Sequence, residues 1–244
     1  MGIRILALPG LPEIRPGDPI GALIRQAAVA ANISITHETV LVVAQKIVSK
    51  AEGALVDLAT VEPSARALEW AGRWGKDPRL IEVILGQARR IVRMERGVLI
   101  AETRHGFVAA NAGVDQSDVP GHDLVSVLPA DPDASARRLR GELECGAVII
   151  SDTFGRPWRL GLVNVAIGVD GLEPLEDYRG RPDRFGRRLQ ATVVALADEL
   201  AAAAGLVMRK AEGVPVALIE GLRWKPSAAG ARSLIRPPEE DLFR

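Results

Sequence analysis

The feature that most constrains the fold is a set of short apolar segments that end abruptly in polar residues. Residues 39–43 and 147–150 are apolar or β-branched throughout, which is typical of strands buried on both faces of a sheet. The segment between residues 20 and 31 instead has apolar residues at helical spacing. Such strands and helices in alternation predict a fold of the α/β class, a mixed α+β arrangement around a largely buried sheet.

Spacing and turn residues extend this prediction over the rest of the chain. Further strands are predicted at residues 1–8, 98–102, 106–110, 163–169 and 214–220. Further helices are predicted at residues 63–74, 78–90, 131–145 and 189–204, and residues 75–78 separate the first two. The sequence contains no internal repeat and no flexible linker, so we expect the elements to form one interwoven unit.

Composition excludes several classes of protein. The chain has 244 residues, which is room for one large domain or two small ones, and 31 Lys and Arg residues balance 31 Asp and Glu residues. Nucleic-acid binding is disfavoured because it needs a surplus of cations and, for single strands, aromatic side chains, which make up only 4% of the chain.

Membrane insertion and secretion are not expected either. No apolar segment approaches the ~20 residues of a membrane span, and the N-terminus does not resemble a signal peptide. The single cysteine, Cys145, cannot form an internal disulfide. We therefore expect a cytoplasmic protein that binds neither nucleic acid nor membranes.

The familiar motifs of nucleotide and metal chemistry are missing from the sequence. There is no GxxxxGK[ST] loop and no GxGxxG turn after a strand, which argues against a P-loop NTPase or a Rossmann dehydrogenase. His37, His105 and His122 lie apart in turn-like segments, so a metal bound by histidines is not expected. Cys145 is interpreted as a small core residue.

Side chains with oxygen ligands remain as candidates. Asp115 and Asp118 share one turn after a predicted strand, Asp152 and Thr153 follow another, and Glu212 precedes the last strand. Carboxylate and hydroxyl oxygens suit Mg²⁺ or Mn²⁺, which complete their coordination with water and phosphate oxygens. The residues alone leave a second interpretation open, because Asp and Thr also cap and turn the chain where strands end.

Basic residues accompany these carboxylates. Lys46 and Lys50 are four residues apart, so they share one face of a helix or of a strand, in a polar segment that is a candidate for binding phosphate. Arg156 and Arg159 follow Asp152 closely, and their planar guanidinium groups are suited to a phosphate or a carboxylate. Solvated surface residues are the alternative interpretation for both pairs.

Four motifs, in this order along the chain, carry a resemblance to a known family. They are GLPEIRPGD at residues 10–18, QKIVSKAEG at 45–53, NAGVD at 111–115 and SDTFGRPWR at 151–159. Through them the sequence resembles the coenzyme F420-0:L-glutamate ligase family, the γ-glutamyl ligases of deazaflavin biosynthesis, up to about Trp224. Four ordered motifs are far more specific than any one of them.

The resemblance implies an activity, a fold and an oligomeric state. The activity is a GTP-dependent amide ligation that adds L-glutamate to the deazaflavin precursor F420-0 and releases GDP and phosphate, and further γ-linked glutamates are left open. The fold is a family-specific F420 ligase fold in an intertwined homodimer, with a ligase domain at residues 1–226 and a C-terminal extension at 227–244. Because some relatives carry a second, flavin-binding domain, a chain that ends at residue 244 is expected to be the stand-alone form.

The resemblance also implies site residues at the matching positions. Asp115 and Asp152, the residues expected to be catalytic, would bind a first divalent cation, and Thr153 and Glu212 a second, either Mg²⁺ or Mn²⁺, with K⁺ as an additional ion. Residues 210–217 would close over the phosphates of GTP, and Arg156 and Arg159 would grip the acidic precursor or the glutamate tail. The expected contacts with GTP are Leu11, Pro12, Glu13, Ile14, Gln45, Lys50 and Asp118, where the motif commonly has Asn at position 118.

Chemistry and resemblance together predict one mechanism. A carboxylate must be activated before an amine can join it in water, and phosphorylation by GTP would give an acyl phosphate that the α-amine of glutamate attacks. The cations would neutralise the phosphates, and Lys50 would add positive charge. Two rival classes are a metal-dependent phosphatase or nucleotidyl-transfer enzyme on the same carboxylates, and a non-enzymatic binding module that uses the helices predicted at 63–90.

Overall fold

The structure is a computed structural model of the chain and describes residues 2–242. The strands are β1 (Arg4–Ala7), β2 (Val40–Ala44), β3 (Leu55–Asp57), β4 (Ala88–Glu95), β5 (Val98–Thr103), β6 (Val108–Ala110), β7 (Leu124–Ser126), β8 (Ala147–Arg156), β9 (Arg159–Asp170), β10 (Glu176–Asp177), β11 (Val193–Val194) and β12 (Val216–Glu220). The α-helices are α1 (Ile20–Ala30), α2 (Gln45–Ala51), α3 (Ala65–Trp74), α4 (Pro78–Gln87), α5 (Pro132–Leu143) and α6 (Leu196–Met208). The predicted mixture of helices and strands is confirmed. No helix among the described residues is long and apolar enough to cross a membrane.

A five-stranded sheet in the order β1-β12-β2-β8-β9 forms the centre of the molecule. β2 and β8 run parallel, β12 runs antiparallel to both of its neighbours, and β8 and β9 form a long antiparallel hairpin. The parallel pairing extends from Val40 opposite Ala147 to Ala44 opposite Ser151. Because both strands run in the same direction, the residues that follow this pairing lie side by side at one edge of the sheet.

Both faces of this sheet are buried, as the uninterrupted apolar sequences predict. Leu41 and Val43 of β2 lie in one core with apolar residues of α1, α2 and α5. Val40 and Val42 point to the other face and pack in a second core with residues of α6. All four side chains are fully buried, and each such burial contributes about 1.5–3 kcal/mol.

A third core lies beside the central sheet, within residues 54–127. It is formed by α3, α4, the sheet β4-β5-β6 and the β3–β7 pair. α3 begins at the cap residue Ser64 and ends at Gly75, which has the left-handed backbone that glycine adopts without strain. α4 begins after the cap residue Asp77, with Pro78 in its first turn. These end signals explain why the break predicted at residues 75–78 is confirmed.

Three predicted boundaries are wrong, in each case because tertiary pairing overrides local sequence. The helix predicted at 78–90 ends at Gln87, and the chain then enters β4, which pairs with β5. The helix predicted at 189–204 is α6 at Leu196–Met208, and residues 193–194 form β11 instead. β8 continues past Ile150 to Arg156 because β9 pairs with it throughout, so the predicted turn residues 152 and 153 lie within a strand.

Part of the C-terminal extension packs against the rest of the chain. Ala231 is fully buried, and its backbone amide donates to Oδ1 of Asp133 at 2.8 Å. The same oxygen accepts the amide of Val169 in β9, also at 2.8 Å. Asp133 thus ties the 3-10 turn Ala231–Leu234 and β9 to the first turn of α5. The predicted domain boundary at residue 226 stays a prediction.

Candidate active site

A cavity of about 600 Å³ opens at the edge of the central sheet where the parallel pairing of β2 and β8 ends. Its walls come from distant parts of the chain: the loop after β1, the start of α2, residues 117–118, the middle of the β8–β9 hairpin, and the loop after α6. This volume is in the range of pockets that hold small molecules and cofactors. The predicted site residues that line it are Leu11, Pro12, Glu13, Ile14, Gln45, Lys50, Asp118, Asp152 and Thr153.

Lys50 is a buried cation at this cavity. Its side chain is 4% exposed, and its Nζ donates to Oε1 of Glu13 at 2.7 Å and lies 3.6 Å from Oδ2 of Asp118. Such partners are needed because an unpaired buried charge is strongly destabilising. Asp118 has a left-handed backbone (φ 58°), which Asp and Asn adopt more readily than most residues. Three predicted site residues thus meet at one ammonium group.

The start of α2 sets the direction of the polar side chains that follow β2. The chain passes from Ala44, with extended backbone angles, directly into the helix, so Lys46 and Lys50 lie one turn apart on it. Gln45 is 2% exposed, and its Oε1 accepts the hydroxyl proton of Ser49 at 2.8 Å. The helix therefore decides between the two conformations that the sequence left open for this segment.

Asp115 is positioned by a strained turn after β6. Asn111 and Ala112 have positive φ angles of 54° and 51°, and for a residue such as Ala this backbone costs about 1–2 kcal/mol. The backbone of Asp115 then pairs with Ser126 in both directions, at 3.0 and 2.8 Å. This pairing holds the turn in place and so orients the carboxylate of Asp115. Strained backbone that its surroundings hold in place is often found at functional sites.

The carboxylate of Asp115 is held by charge and by hydrogen bonds. Its Oδ2 lies 3.0 Å from Nζ of Lys46, and its Oδ1 accepts the backbone amide of Ser117 at 2.7 Å. The ammonium of Lys46 also donates to Oγ of Ser117 at 2.6 Å. Partial burial by itself would raise the pKa of Asp115, but the Ser117 amide and the Lys46 charge together lower it below the ordinary value. Asp115 is therefore ionised at neutral pH.

Asp152 lies on β8 directly beyond the parallel pairing. Burial raises the pKa of Asp152 to about 6; the backbone amide of Thr153 opposes this rise, and the nearby charge of Asp115 adds to it. Two carboxylates that repel each other in a partly buried site are stabilised by a cation. Within residues 2–242 no three or more acidic, histidine or cysteine side chains lie close enough to hold a metal. The pair fits Mg²⁺ or Mn²⁺ that completes its shell with water or phosphate oxygens.

Thr153 and Asn164 face each other across the β8–β9 hairpin. The hydroxyl of Thr153 donates to Oδ1 of Asn164 at 3.0 Å. Nζ of Lys210, from the loop after α6, donates to Oγ1 of Thr153 and lies 3.4 Å from Oδ1 of Asn164. Burial lowers the pKa of Lys210, and the negative charge of Asp152 opposes that shift. The ammonium group of Lys210 thus contacts the side-chain oxygens of Thr153 and Asn164 next to Asp152.

Four other predicted site residues do not line the cavity: Asp115, which reaches it only through its contact with Lys46, and Glu212, Arg156 and Arg159. Glu212 forms an ion pair with Arg209 at 2.9 Å, and its side chain is 51% exposed. Arg156 and Arg159 lie at the far end of the β8–β9 hairpin, where Arg156 donates to the carbonyl of Leu160 at 2.7 Å. The structure therefore does not bring Glu212 to Thr153 or the two arginines to the cavity, and their roles stay predictions.

Sequence reasoning missed Asn164 and the contacts that Lys46 and Lys210 make at this site. Lys46 is predicted there, with Lys50, as a candidate for binding phosphate, but its contact with Asp115 depends on the long-range packing of α2. Asn164 has a usable signal, because it is the one polar residue in the otherwise apolar segment 163–169 apart from glycine. Lys210 belongs to the segment 210–217 that is predicted to close over the phosphates, but its contact with Thr153 has no sequence signal, because its loop is placed by the end of α6 and by pairing of β12 with β2.

The fold and the cavity together define a mixed α/β protein in which Asp152 and the buried Lys50 line a pocket of small-molecule size, with Asp115 paired to Lys46 of the same lining. The sequence profile of the family F420-0:Gamma-glutamyl ligase matches residues 10–221. The chain belongs to this family. It is an enzyme of the class of ligases that form carbon–nitrogen bonds.

Curated relatives match the chain over nearly its whole length. A protein of Methanothermobacter thermautotrophicus named coenzyme F420:L-glutamate ligase is 47% identical, and the match covers 100% of both chains. Proteins of the same name from Methanocaldococcus jannaschii and Haloarcula marismortui are 44% and 39% identical, over 96% and 99% of this chain and 94% and 96% of theirs.

Proposed function

We propose that this protein is a GTP-dependent ligase that joins the amine of L-glutamate to a carboxylate of F420-0 and releases GDP and phosphate. The names of its relatives support glutamate and the deazaflavin coenzyme as substrates. The observation that carries the proposal is that Asp152, Lys46 and Lys50 line one cavity of about 600 Å³, while Asp115 pairs with Lys46 and its charge raises the pKa of Asp152. Cations for the phosphates and ligands for a divalent ion are combined there.

The proposed reaction has two steps. A carboxylate oxygen of F420-0 attacks the γ-phosphorus of GTP, the bond to the bridging oxygen breaks, and GDP leaves. The neutral α-amine of glutamate then attacks the carbonyl carbon of the acyl phosphate, phosphate leaves with the carbon–oxygen bond electrons, and the nitrogen loses a proton. Positioning and charge stabilisation supply most of the catalysis in phosphoryl transfer.

The cavity residues divide these tasks. Lys46 and Lys50 present positive charge along α2 on the side where the phosphates would lie, and residues 11–14 and Gln45 form a wall for the nucleoside. Asp115 and Asp152 would hold one Mg²⁺ or Mn²⁺ ion, and Thr153, with Glu212 after a change of its loop, a second. When bound, such ions neutralise the phosphates of the nucleotide. A further K⁺ ion stays a prediction.

A second copy of this chain is the proposed partner. The β8–β9 hairpin extends beyond the central sheet and carries three exposed apolar side chains, Trp158, Leu160 and Leu162, at 82%, 97% and 69% exposure. Apolar side chains grouped on a projecting strand pair are typical of a surface that another chain covers. A homodimer would bury them, and Arg156 and Arg159 on the same hairpin would then lie at the subunit boundary.

The product distinguishes this function from its rivals. We would incubate the protein with GTP, Mn²⁺, L-glutamate and F420-0 and record the products by mass spectrometry. The ligase forms F420-0 extended by one glutamyl residue together with GDP. A metal-dependent phosphatase would consume GTP without this product, and a nucleotidyl-transfer enzyme would release pyrophosphate. A binding module would leave GTP intact.

A further inference from the structure

The contact between Lys210 and the β8–β9 hairpin has a consequence for how cations enter the site. Lys210 is an exposed residue of the loop after α6, yet its ammonium group contacts Oγ1 of Thr153 and Oδ1 of Asn164 at the cavity. The chain leaves α6 at Arg209 with a positive φ of 48°, which turns the loop back towards the sheet. The backbone amide of Ala44 anchors the other end of the loop by donating to the carbonyl of Pro215 at 2.8 Å.

The numbers of protons and lone pairs on these side chains decide which group can donate and which can accept in this contact. A threonine hydroxyl has one proton, and Thr153 donates it to Oδ1 of Asn164 at 3.0 Å. The lone pairs of Oγ1 therefore remain for a donor or a cation. An ammonium group has donors only, so Lys210 uses Oγ1 and Oδ1 as acceptors. Asn164 thereby keeps the hydroxyl of Thr153 turned so that its lone pairs face the cavity.

Charge supports the same interpretation. Asp152 precedes Thr153 on β8, and its carboxylate and the ammonium of Lys210 attract each other. Hydroxyl, amide and carboxylate oxygens are also the ligands that Mg²⁺ and Mn²⁺ prefer. The ammonium and a divalent cation would compete for one set of oxygens, since two positive charges a few ångströms apart repel strongly.

We propose that Thr153 and Asn164 form a cation position that Lys210 occupies as a tethered ammonium until the nucleotide and its second divalent ion displace it. The proposal rests on the two-cation site of the proposed function and adds two things to it. Oδ1 of Asn164 is a further ligand for the second divalent cation. This cation binds only when the Lys210 loop moves. A triphosphate favours the movement because it offers the displaced ammonium a new anionic partner.

The test counts Mn²⁺ ions bound in the absence of nucleotide, by electron paramagnetic resonance of free Mn²⁺ and by calorimetry. Wild-type protein is expected to bind one Mn²⁺ without GTP and a second only with it. Lys210→Met is expected to bind the second Mn²⁺ without GTP, with a dissociation constant at least about tenfold lower than that of the wild type, because a like charge has been removed. Lys225→Met, whose ammonium lies outside the cavity and 3.4 Å from Glu173, should behave as wild type.

A second variant tests the oxygens themselves. Adding Asn164→Leu to Lys210→Met should abolish the gained Mn²⁺ site, while thermal unfolding checks that each variant is folded. An unchanged Mn²⁺ isotherm for folded Lys210→Met would overturn the inference and leave the ligase function intact. If GTP promotes no second Mn²⁺ in the wild type, the two-cation proposal itself fails, and this inference fails with it.

Discussion

The ammonium of Lys46 lies 3.0 Å from Oδ2 of Asp115, and this contact joins two parts of the molecule that fold around separate cores. Lys46 belongs to α2, which packs on the central sheet. Asp115 follows the strained turn after β6, beside the core of residues 54–127. The geometry of the proposed catalytic site therefore depends on how these two parts pack against each other.

Removal of the carboxylate of Asp115 or of Asp152 should abolish turnover. Asp115→Ala and Asp152→Ala each remove an oxygen that would hold a divalent ion against the phosphates, so we expect kcat for ligation to fall by ~10³-fold or more. The KM for glutamate should change far less. Steady-state kinetics check this, with Asp123→Ala as the control, since Asp123 pairs with Arg79 outside the cavity. Near-normal ligation by Asp152→Ala would exclude the proposed site.

The carboxylate of Asp152 should also reduce the stability of the metal-free protein at neutral pH. The pKa of Asp152 is raised to about 6 from 3.8, so its ionisation destabilises the folded state progressively between pH 4 and 6 and fully above pH 6. In EDTA, Asp152→Asn should thus raise the free energy of unfolding at pH 8, by up to about 3 kcal/mol, and by less at pH 4.5.

Urea unfolding at the two pH values checks this prediction. Asp177→Asn is the matched control, because Arg179 lowers the pKa of the exposed Asp177 carboxyl to about 2 and its removal should give no gain at pH 8. An equal gain for Asp152→Asn at both pH values, or a loss at pH 8, would contradict the assigned environment of Asp152.

The carboxylate of Asp118, which lies near Lys50, should weaken nucleotide binding. Asp118 lies 3.6 Å from Nζ of Lys50 and is 65% exposed, so it competes with an anionic ligand for that charge. Asp118→Asn keeps the left-handed backbone and removes the negative charge, and GTP affinity should rise about two- to fivefold, the size expected for a single exposed ion pair. Calorimetric titration with GTP measures it. Weaker binding would mean that the Asp118 carboxylate contacts the nucleotide favourably.

The exposed hairpin should control the oligomeric state. Leu160→Asp introduces a charge on a side chain that is 97% exposed in the single chain and would be buried in the proposed homodimer. Sedimentation should show a dimer for the wild type and a monomer for the variant. Val29→Asp, at a side chain of α1 with 73% exposure, is the control and should remain dimeric. A monomeric wild type would remove the support for a partner subunit.

Local sequence predicted the parts of the fold that depend on burial and on capping. The apolar segments of β2 and β8 are buried on both faces, and the break between α3 and α4 has the cap residues and the Pro that the sequence indicates. Residues 88–90 and 189–195 were wrongly predicted as helical, because residues 88–90 belong to a strand that pairs with β5 and residues 193–194 pair with β10. Such pairing has no signal within the segment itself.

The sequence predicted which residues form the site better than it predicted which of them contact each other. Motifs in the sequence indicate the residues that line the cavity, among them Lys50, Asp118 and Asp152. The ion pair of Lys46 with Asp115 and the reach of Lys210 to Thr153 depend on side chains that are more than 50 residues apart in sequence. Long-range packing determines these contacts, and for this reason local spacing did not reveal them.

The most direct test of the central claim follows one oxygen atom through the reaction. F420-0 labelled with ¹⁸O in its reacting carboxylate is incubated with the protein, GTP, Mn²⁺ and L-glutamate. The account predicts a glutamyl-extended product and ¹⁸O in the released phosphate, because the carboxylate oxygen becomes the bridging atom of the acyl phosphate. Amide product with unlabelled phosphate would contradict the mechanism, and loss of GTP without amide product would contradict the ligase function itself.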